Sequence, residues 1–256
     1  MDLGLAGKRV VVTGAGRGIG LAIVRGFVAE GAAVVAGSRR ATKELAELDG
    51  VTVVEVDLAD AAGPADLIAA AGERIDVLVN NVGIAPPRTH GFLDVTDNMW
   101  ADTWNLNVMA AVRATRAALP VMLAGGGGAI VNTGSVNSRL ADPLVIDYSA
   151  SKAALASFTK SLSKEFGPRG IRVNSVAPGP VATDLWLGDG GVAATVGAAQ
   201  GIAPSDVEAG AKAAMVTGRF TRPEEVATLV LLLASARIPN VTGADFAIDG
   251  GMLTAL

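Results

Sequence analysis

Tyr148 and Lys152, in the stretch YSASK, are four residues apart, so at helical spacing their side chains share one face. A phenol beside an ammonium is suited to proton transfer near neutral pH. This requires the phenol's ordinary pKa of about 10 to fall by about 3 units, on the order of 4 kcal/mol, which an adjacent positive charge favours. YxxxK alone is a weak signal. It gains weight because Ser135 closes an apolar run thirteen residues upstream and Asn107 sits within a long helical stretch before that. The second chemical stretch is TGAGRGIG, Thr13 to Gly20, with glycine at every second position from Gly14. It follows a strand-like run and precedes a helix-like one, where free backbone N–H groups and a positive dipole end attract a phosphate. Its spacing, Gly14, Gly18, Gly20, differs from the GxGxxG of other dinucleotide folds, and a tight strand-to-helix turn without ligand is the plainer reading.

A carboxylate about 20 residues beyond such glycines takes the ribose hydroxyls of NAD. Here the second apolar run ends AGSRR, Ser38 stands in the expected place, and no Asp or Glu occurs from Gly31 to Lys43. Arg17, Arg39 and Arg40 supply positive charge instead, which suits a 2′-phosphate and favours NADP(H) over NAD(H). The alternative is that these arginines only cover an exposed loop.

The elements that must position these residues are legible as alternation. Strand-like runs at Arg9 to Thr13, Ala33 to Ala36, Val51 to Val56, Ile75 to Asn80, Ala129 to Thr133, Ile171 to Val176 and Asp245 to Ile248 are mostly continuously apolar, as strands buried on both faces are. Helical stretches lie between them: Ile19 to Glu30, Leu67 to Ala71, Asn98 to Leu123, and Tyr148 to Phe166, the last stopped by Gly167-Pro168. This is repeated βαβ, an α/β fold with a Rossmann-like doubly wound parallel sheet. One domain is expected over residues 1–256, with a Gly- and Pro-broken segment at about 184–222 as a lid.

Half of the residues are hydrophobic and only 18 % are charged, which supplies a large core and leaves surplus apolar surface for subunit contacts. The net charge of -4 gives no long-range attraction to nucleic acid or anionic lipid. With no cysteine and one histidine, disulfides, thiolate sites and histidine metal clusters are excluded, and no metal is expected. MDLGLAGKRV lacks the order of a signal peptide, and the longest apolar run, Val226 to Ala236, is too short for a bilayer. A cytoplasmic protein without membrane contact is expected.

Taken in order, TGAGRGIG, NNVG (Asn80 to Gly83), Asn107, Ser135, YSASK, PGPVATD (Pro178 to Asp184), GRFTRPEEVA (Gly218 to Ala227) and the C-terminal FAIDGG resemble the short-chain dehydrogenase/reductases of the classical type. The resemblance covers essentially the whole chain. Val82 replaces the usual Ala of NNAG, and Gly134 precedes Ser135 where a second Ser is frequent. Neither departure removes a reacting group.

The resemblance implies that Tyr148 is the general acid that protonates a carbonyl oxygen as hydride arrives, or the base in reverse. It implies that Ser135 polarises that oxygen as a hydrogen-bond donor, that Lys152 also holds the nicotinamide ribose, and that Asn107 anchors a relay water. For Asn107, bonding within its own helix is the alternative. By resemblance too, Ile19 lies beside the pyrophosphate turn, Asp57 and Leu58 at the adenine, Asn81 and Gly83 at the adenosine ribose, and Pro178, Gly179, Val181 and Thr183 around the nicotinamide. Gly83 and Gly179 could equally serve turns, and Asp57 a helix cap.

Leu140, Val145, Trp186 and Leu187 are candidates for a substrate wall, or for packing that shuts the lid. His90 is expected to be a solvated loop residue, Trp100 and Trp104 core or interface, and Asp102, Arg113 and Arg116 an exposed or interfacial charged face. The expected function is NADP(H)-dependent reduction of a ketone, 3-oxoacyl or otherwise hydrophobic, to a secondary alcohol, or the reverse. By resemblance the enzyme is a homotetramer. The alternatives are an NAD(H)-dependent secondary alcohol dehydrogenase and, from another class, a non-catalytic dinucleotide sensor.

Overall fold

A computed structural model describes residues 2–254. Its strands are β1 (Arg9–Thr13), β2 (Ala33–Ser38), β3 (Val51–Glu55), β4 (Val77–Asn80), β5 (Gly128–Thr133), β6 (Ile171–Pro178) and β7 (Asp245–Ile248). They form one parallel sheet in the order β3-β2-β1-β4-β5-β6-β7. Strand order reverses between β1 and β4, and ligands bind parallel sheets in the crevice beyond the carboxyl ends at such a point. Both chemical stretches of the sequence converge on that side.

Helices α1 (Gly18–Ala29) and α10 (Pro223–Ala234) cover one face of the sheet. α3 (Gly63–Ala69), α5 (Ala110–Ala124) and α6 (Ile146–Phe166) cover the other. Successive strand residues point to opposite faces, so in β1 Val10 and Val12 pack toward Phe27 and Val230 while Val11 faces Leu67 and Leu78. That is why RVVVT needs no polar alternation: each of its fully buried valines contributes about 1.5–3 kcal/mol. α10 has a clear N-terminal signal, since Pro223 fills the first turn and Glu225 Oε2 accepts from Arg222 N at 2.8 Å, yet periodicity in the sequence marked only its apolar run.

Boundaries shift where local chemistry intervenes. β4 starts at Val77 rather than Ile75; Asp76 just before it still bonds Arg9 O and Ala129 N through its backbone, while its carboxylate accepts from Arg9 N at 2.8 Å and pairs with Lys8 and Arg74. α6 ends at Phe166 as expected, and a 3₁₀ turn, Gly167–Arg169, leads into Gly170 at φ +80°. The long helix after β4 is not continuous: α4 (Asp97–Trp104) and α5 are joined by a π-helical turn, Asn105–Met109. The run Asp97–Ala124 meets the length and hydropathy of a membrane-crossing helix. In this fold its Ala110, Ala114, Ala118 and Met122 are buried against the sheet. Trp100 and Trp104 are not core residues, Trp104 being 41 % exposed.

The remaining helices are α2 (Lys43–Ala46) and, in the segment expected to break the βα rhythm, α7 (Asp184–Leu187), α8 (Val192–Gln200) and α9 (Pro204–Ala213). That segment leaves and rejoins the body through a stitched neck. Val181 bridges Thr221, Ala182 N donates to Thr221 O at 2.9 Å, and Thr221 N donates to Pro180 O at 3.1 Å.

Candidate active site

Gly14 ends β1 with φ +65°, and a Cβ there would lie 2.8 Å from Val82 Cα, so the β1 turn and the β4 end touch through backbone. At Gly20 a Cβ would sit 2.1 Å from Gly14 O, which leaves glycine alone able to let α1 start that close. Gly18 is at φ +54°. Asn81 fixes the turn from the neighbouring strand, its Nδ2 donating to Thr13 O and Gly14 O, both at 3.1 Å. Thr13 Oγ1 accepts from the backbone N–H groups of Asn81 and Val82 at 2.8 and 3.1 Å. α1 has no side-chain N-cap and no acidic residue in its first turn, so its leading N–H groups are available to an anion.

At the β2 end, Ser38 lies against the same turn, since a Cβ on Gly16 would come 2.4 Å from Ser38 Oγ. Arg17, Arg39 and Arg40 are exposed around it. Asp57 is exposed and its Oδ1 accepts from Ala59 N at 2.9 Å, a local turn cap in line with the capping alternative. Leu58 is buried in the core, 3 % exposed, so its side chain is committed to packing.

On the other side of the switch point, Tyr148 and Lys152 stand in the first turns of α6, and Ser135 follows β5. Lys152 is 3 % exposed, its Nζ lying 5.6 Å from the Tyr148 ring centre and donating to Thr133 O at 2.7 Å. An ammonium has three N–H donors, and Thr133 O is the acceptor it has among the described residues. The two remaining donors, in a buried cleft, fit a diol such as a ribose. Gly83 keeps that space open, since a Cβ there would lie 3.1 Å from Asn107 Oδ1 and 3.6 Å from Lys152 Nζ.

Burial pushes the Lys152 ammonium down to about 8. Desolvation pushes the Tyr148 phenol above its ordinary range, and the neighbouring Ser135 hydroxyl draws it part of the way back. In the protein alone, burial of the phenol is thus the larger influence on Tyr148. A buried ammonium pays its own desolvation cost before it can stabilise a phenolate.

Asn107 is 1 % exposed and sits in the π turn. Its Oδ1 accepts from Ile84 N at 2.8 Å, and its Nδ2 donates to Ile84 O at 2.9 Å and Ser151 Oγ at 3.0 Å. It clamps the β4 loop to α6 rather than bonding within its own helix. The start of α6 is held a second time by buried Asp147, which accepts from Thr103 Oγ1 at 2.6 Å and pairs with Arg88 of the β4 loop. The Arg88 and Thr103 hydrogen bonds outweigh burial and hold the Asp147 carboxyl below its ordinary value.

Ser135, Tyr148 and Lys152 open on a cavity of about 500 Å³ that also takes in Ile19, Asn81, Gly83, Pro178, Gly179, Val181 and Thr183; Asn107 lies behind it and does not line it. Its far wall is largely aliphatic: Leu140, Leu144, Val145, Leu185, Trp186, Val192 and Met252. Three of the four expected wall residues are present. Leu187 is the exception; it does not line the cavity, and Leu185, two residues earlier on α7 and equally exposed, does. Trp186 packs edge-on against Phe220, ring centres 5.4 Å apart, at the neck of the segment. His90 is exposed, and Arg113 donates to Asn105 Oδ1 at 2.7 Å rather than standing free.

Sequence reasoning missed Thr13, Thr133, Asn137 and Met252. Thr133 acts through its backbone carbonyl, which carries no residue-type signal. Met252 arrives from the chain's far end, and the Arg88–Asp147 pair spans 59 positions, so neither spacing was readable.

The family model described as enoyl-(acyl carrier protein) reductase matches residues 14–253. Galactitol 2-dehydrogenase (L-tagatose-forming) of Cereibacter sphaeroides is 36% identical, over 96% of this chain and 95% of that protein. The 3-oxoacyl-[acyl-carrier-protein] reductase of Vibrio harveyi is 34% identical, over 98% and 99%. The crystal structure of L-sorbose reductase from Gluconobacter frateurii, complexed with NADPH and L-sorbose, is 34% identical and superposes with a TM-score of 0.90 over 100% of both chains. The chain belongs to the classical short-chain dehydrogenase/reductases, oxidoreductases that act between CH–OH and C=O with a nicotinamide dinucleotide.

Proposed function

We propose that this chain is an NADP(H)-dependent reductase of hydrophobic ketones, and in reverse a secondary alcohol dehydrogenase. The observation that carries the reading is the meeting of Ser135, Tyr148 and Lys152 at one end of a cavity whose far wall is mostly apolar, with Asn137 and Asp142 as its polar side chains. When bound, reduced nicotinamide supplies hydride to a carbonyl carbon. Tyr148 delivers the proton to the carbonyl oxygen, Ser135 donates a hydrogen bond to that oxygen, and Lys152 holds the nicotinamide ribose with its two remaining donors. Asn107 holds the β4 loop in place and anchors a relay water. The α1 N-terminus and its glycine turn take the pyrophosphate, with Ile19 beside it. Ser38, Arg39 and Arg17 take the 2′-phosphate. Asp57, Leu58 and Asn81 frame the adenosine, and Pro178, Gly179, Val181 and Thr183 the nicotinamide.

The preference for NADP(H) rests on the three exposed arginines and on the lack of an acidic residue from Gly31 to Lys43; Glu55 of β3, opposite Ser38, has an Oε1 that accepts from Ala41 N. Residues 184–222 serve as a lid over the ketone, hinged at the Val181–Thr221 neck. A homotetramer fits the exposed Met99 and Trp104 on α4 and Val216, 86 % exposed, beside the C-terminal stretch. Light scattering gives its mass directly.

The test is a titration with NADPH and, in parallel, NADH at fixed salt, followed by a panel of ketones. NADPH is expected to bind at least tenfold tighter, about 1.4 kcal/mol. Equal or tighter NADH binding would overturn the arginine reading in favour of NAD-linked alcohol oxidation. A sugar or polyol substrate is the second reading, suggested by the galactitol and sorbose relatives. Leu140, Leu144, Val145 and Leu185 weigh against it, because each hydroxyl buried against them without a partner costs about 1–3 kcal/mol, while Asn137 and Asp142 are the polar groups a polyol would have to use. L-Sorbose and 2-octanone in the same panel separate the two.

A further inference from the structure

Ser135 has one proton to give, and in this structure Asn137 stands as an acceptor for it beside the phenol. Its Oγ donates to Asn137 Oδ1 at 3.1 Å and accepts from Asn137 N at 3.1 Å. A hydroxyl offers one donor and two acceptor sites, so Asn137 Oδ1 and the Tyr148 phenol oxygen compete for one serine proton, and while Asn137 holds it the serine can only accept. A role as polarising donor demands the reverse. Asn137 lines the cavity, and among the described residues its Nδ2 has no hydrogen-bond partner. The amide can therefore turn end for end about its last torsion without breaking another contact. Turned, Nδ2 donates to Oγ, filling the second acceptor site beside the backbone N–H and driving the hydroxyl proton outward.

We propose that Asn137 is a positioning residue for Ser135, withholding the serine proton through its amide oxygen in the free protein and releasing it toward the reacting oxygen when the amide turns. The inference rests on the proposed reductase reading only for what the released proton does. The Ser135–Asn137 contact it starts from is present in the protein without substrate. Sequence alone gives no hint of it, since an Asn two residues after a Ser reads as an ordinary turn.

Tyr148 is the single tyrosine of the chain, so phenolate absorbance reports this one group without cofactor or ketone. Ser135 is the hydroxyl whose donation favours the phenolate, so freeing it is visible there. The other ionisable groups facing the phenol are Lys152 on α6 and Asp142 on the cavity wall, and Asp147 lies next to it, held by Arg88. These stay in place in all variants.

The experiment is a spectroscopic titration of wild type, Asn137→Ala, Asn137→Asp, Ser135→Ala and the Ser135→Ala/Asn137→Ala double variant, with far-ultraviolet dichroism recorded at each pH. Asn137→Ala is expected to lower the Tyr148 midpoint by about half to one pH unit, the size of one neutral hydrogen bond. Asn137→Asp, an acceptor that cannot turn into a donor, is expected to raise it, and Ser135→Ala to erase the effect of Asn137→Ala. If unfolding precedes the titration, the same cycle is read in kcat for NADPH-dependent reduction of 2-octanone. There Asn137→Asp is expected to lose at least tenfold and to recover relative to wild type as pH falls and its carboxyl regains a proton. A midpoint and kcat unmoved by Asn137→Ala and Asn137→Asp, or an Asn137→Ala effect that persists in full without Ser135, overturns the proposal. Absence of turnover by wild type, with the midpoint shifts intact, overturns the reductase reading instead.

Discussion

Beyond the carboxyl ends of β1 and β4 the cleft wall is backbone: the glycine turn, the Asn81–Gly83 strand end and the uncapped start of α1, locked by contacts that leave no room for a Cβ at Gly20. Across the cavity, residues 136–145 and 184–200 present side chains from 3₁₀ turns and short helices. The first wall suits a ligand part that never varies, because N–H groups fixed by the fold read charge and shape. The second suits one that does, since exchanging a leucine changes the pocket without moving a strand. Tyr148, Lys152 and Ser135 stand at the seam between them.

Changes at the seam have the largest expected effects. Tyr148→Phe removes the proton donor and is expected to cut turnover by about 10³-fold with NADPH affinity nearly unchanged. A variant that keeps its full biological output would instead fit a dinucleotide sensor. Lys152→Met separates function from stability. The folded pKa of about 8 is depressed from the usual lysine value of about 10.4, so the folded state binds fewer protons in that window and stability rises with pH through it. Below pH 8 the buried ammonium costs about 3 kcal/mol. Lys152→Met is expected to abolish turnover while raising Tm by several degrees at pH 7, read by thermal unfolding. A fall in Tm would show that the Thr133 hydrogen bond outweighs the desolvation.

On the backbone wall, Gly20→Ala forces a Cβ onto Gly14 O and is expected to cost about 2–3 kcal/mol of stability and most dinucleotide affinity. Tolerance of that methyl would erase the contrast between the two walls. Ser38→Asp is expected to shift the NADPH to NADH affinity ratio by at least tenfold toward NADH, measured by nicotinamide fluorescence. The smallest effect belongs to the side-chain wall. Trp186→Ala loosens the contact with Phe220 and is expected to raise KM for 2-octanone a few-fold, with kcat and NADPH affinity held.

The same contrast explains what was legible. Strands buried on both faces write themselves as valine runs, so the sheet and its order of elements were readable from β1 to β7. The backbone wall was readable too, because only glycine meets its steric demand and Gly14, Gly18 and Gly20 mark it. The side-chain wall was not. Leu185 and Leu187 are the same residue type two positions apart, and only the phase of α7 decides which one lines the cavity. The burial of this pair was illegible for a related reason: spacing places Lys152 beside the Tyr148 phenol but says nothing of how deeply either is buried.

The π turn at Asn105–Met109 amounts to one residue more than an α-helix needs between Asp97 and Ala124. Removing a residue within it would let α4 and α5 merge into a regular helix. Everything after the deletion, or before it, would rotate by about 100°, and Asn107 could not keep hold of Ile84 and Ser151 together. Selection for helical regularity alone would thus erase the clamp. The irregularity is the mark of a helix tuned for grip on its neighbours at the expense of its own hydrogen-bond ladder.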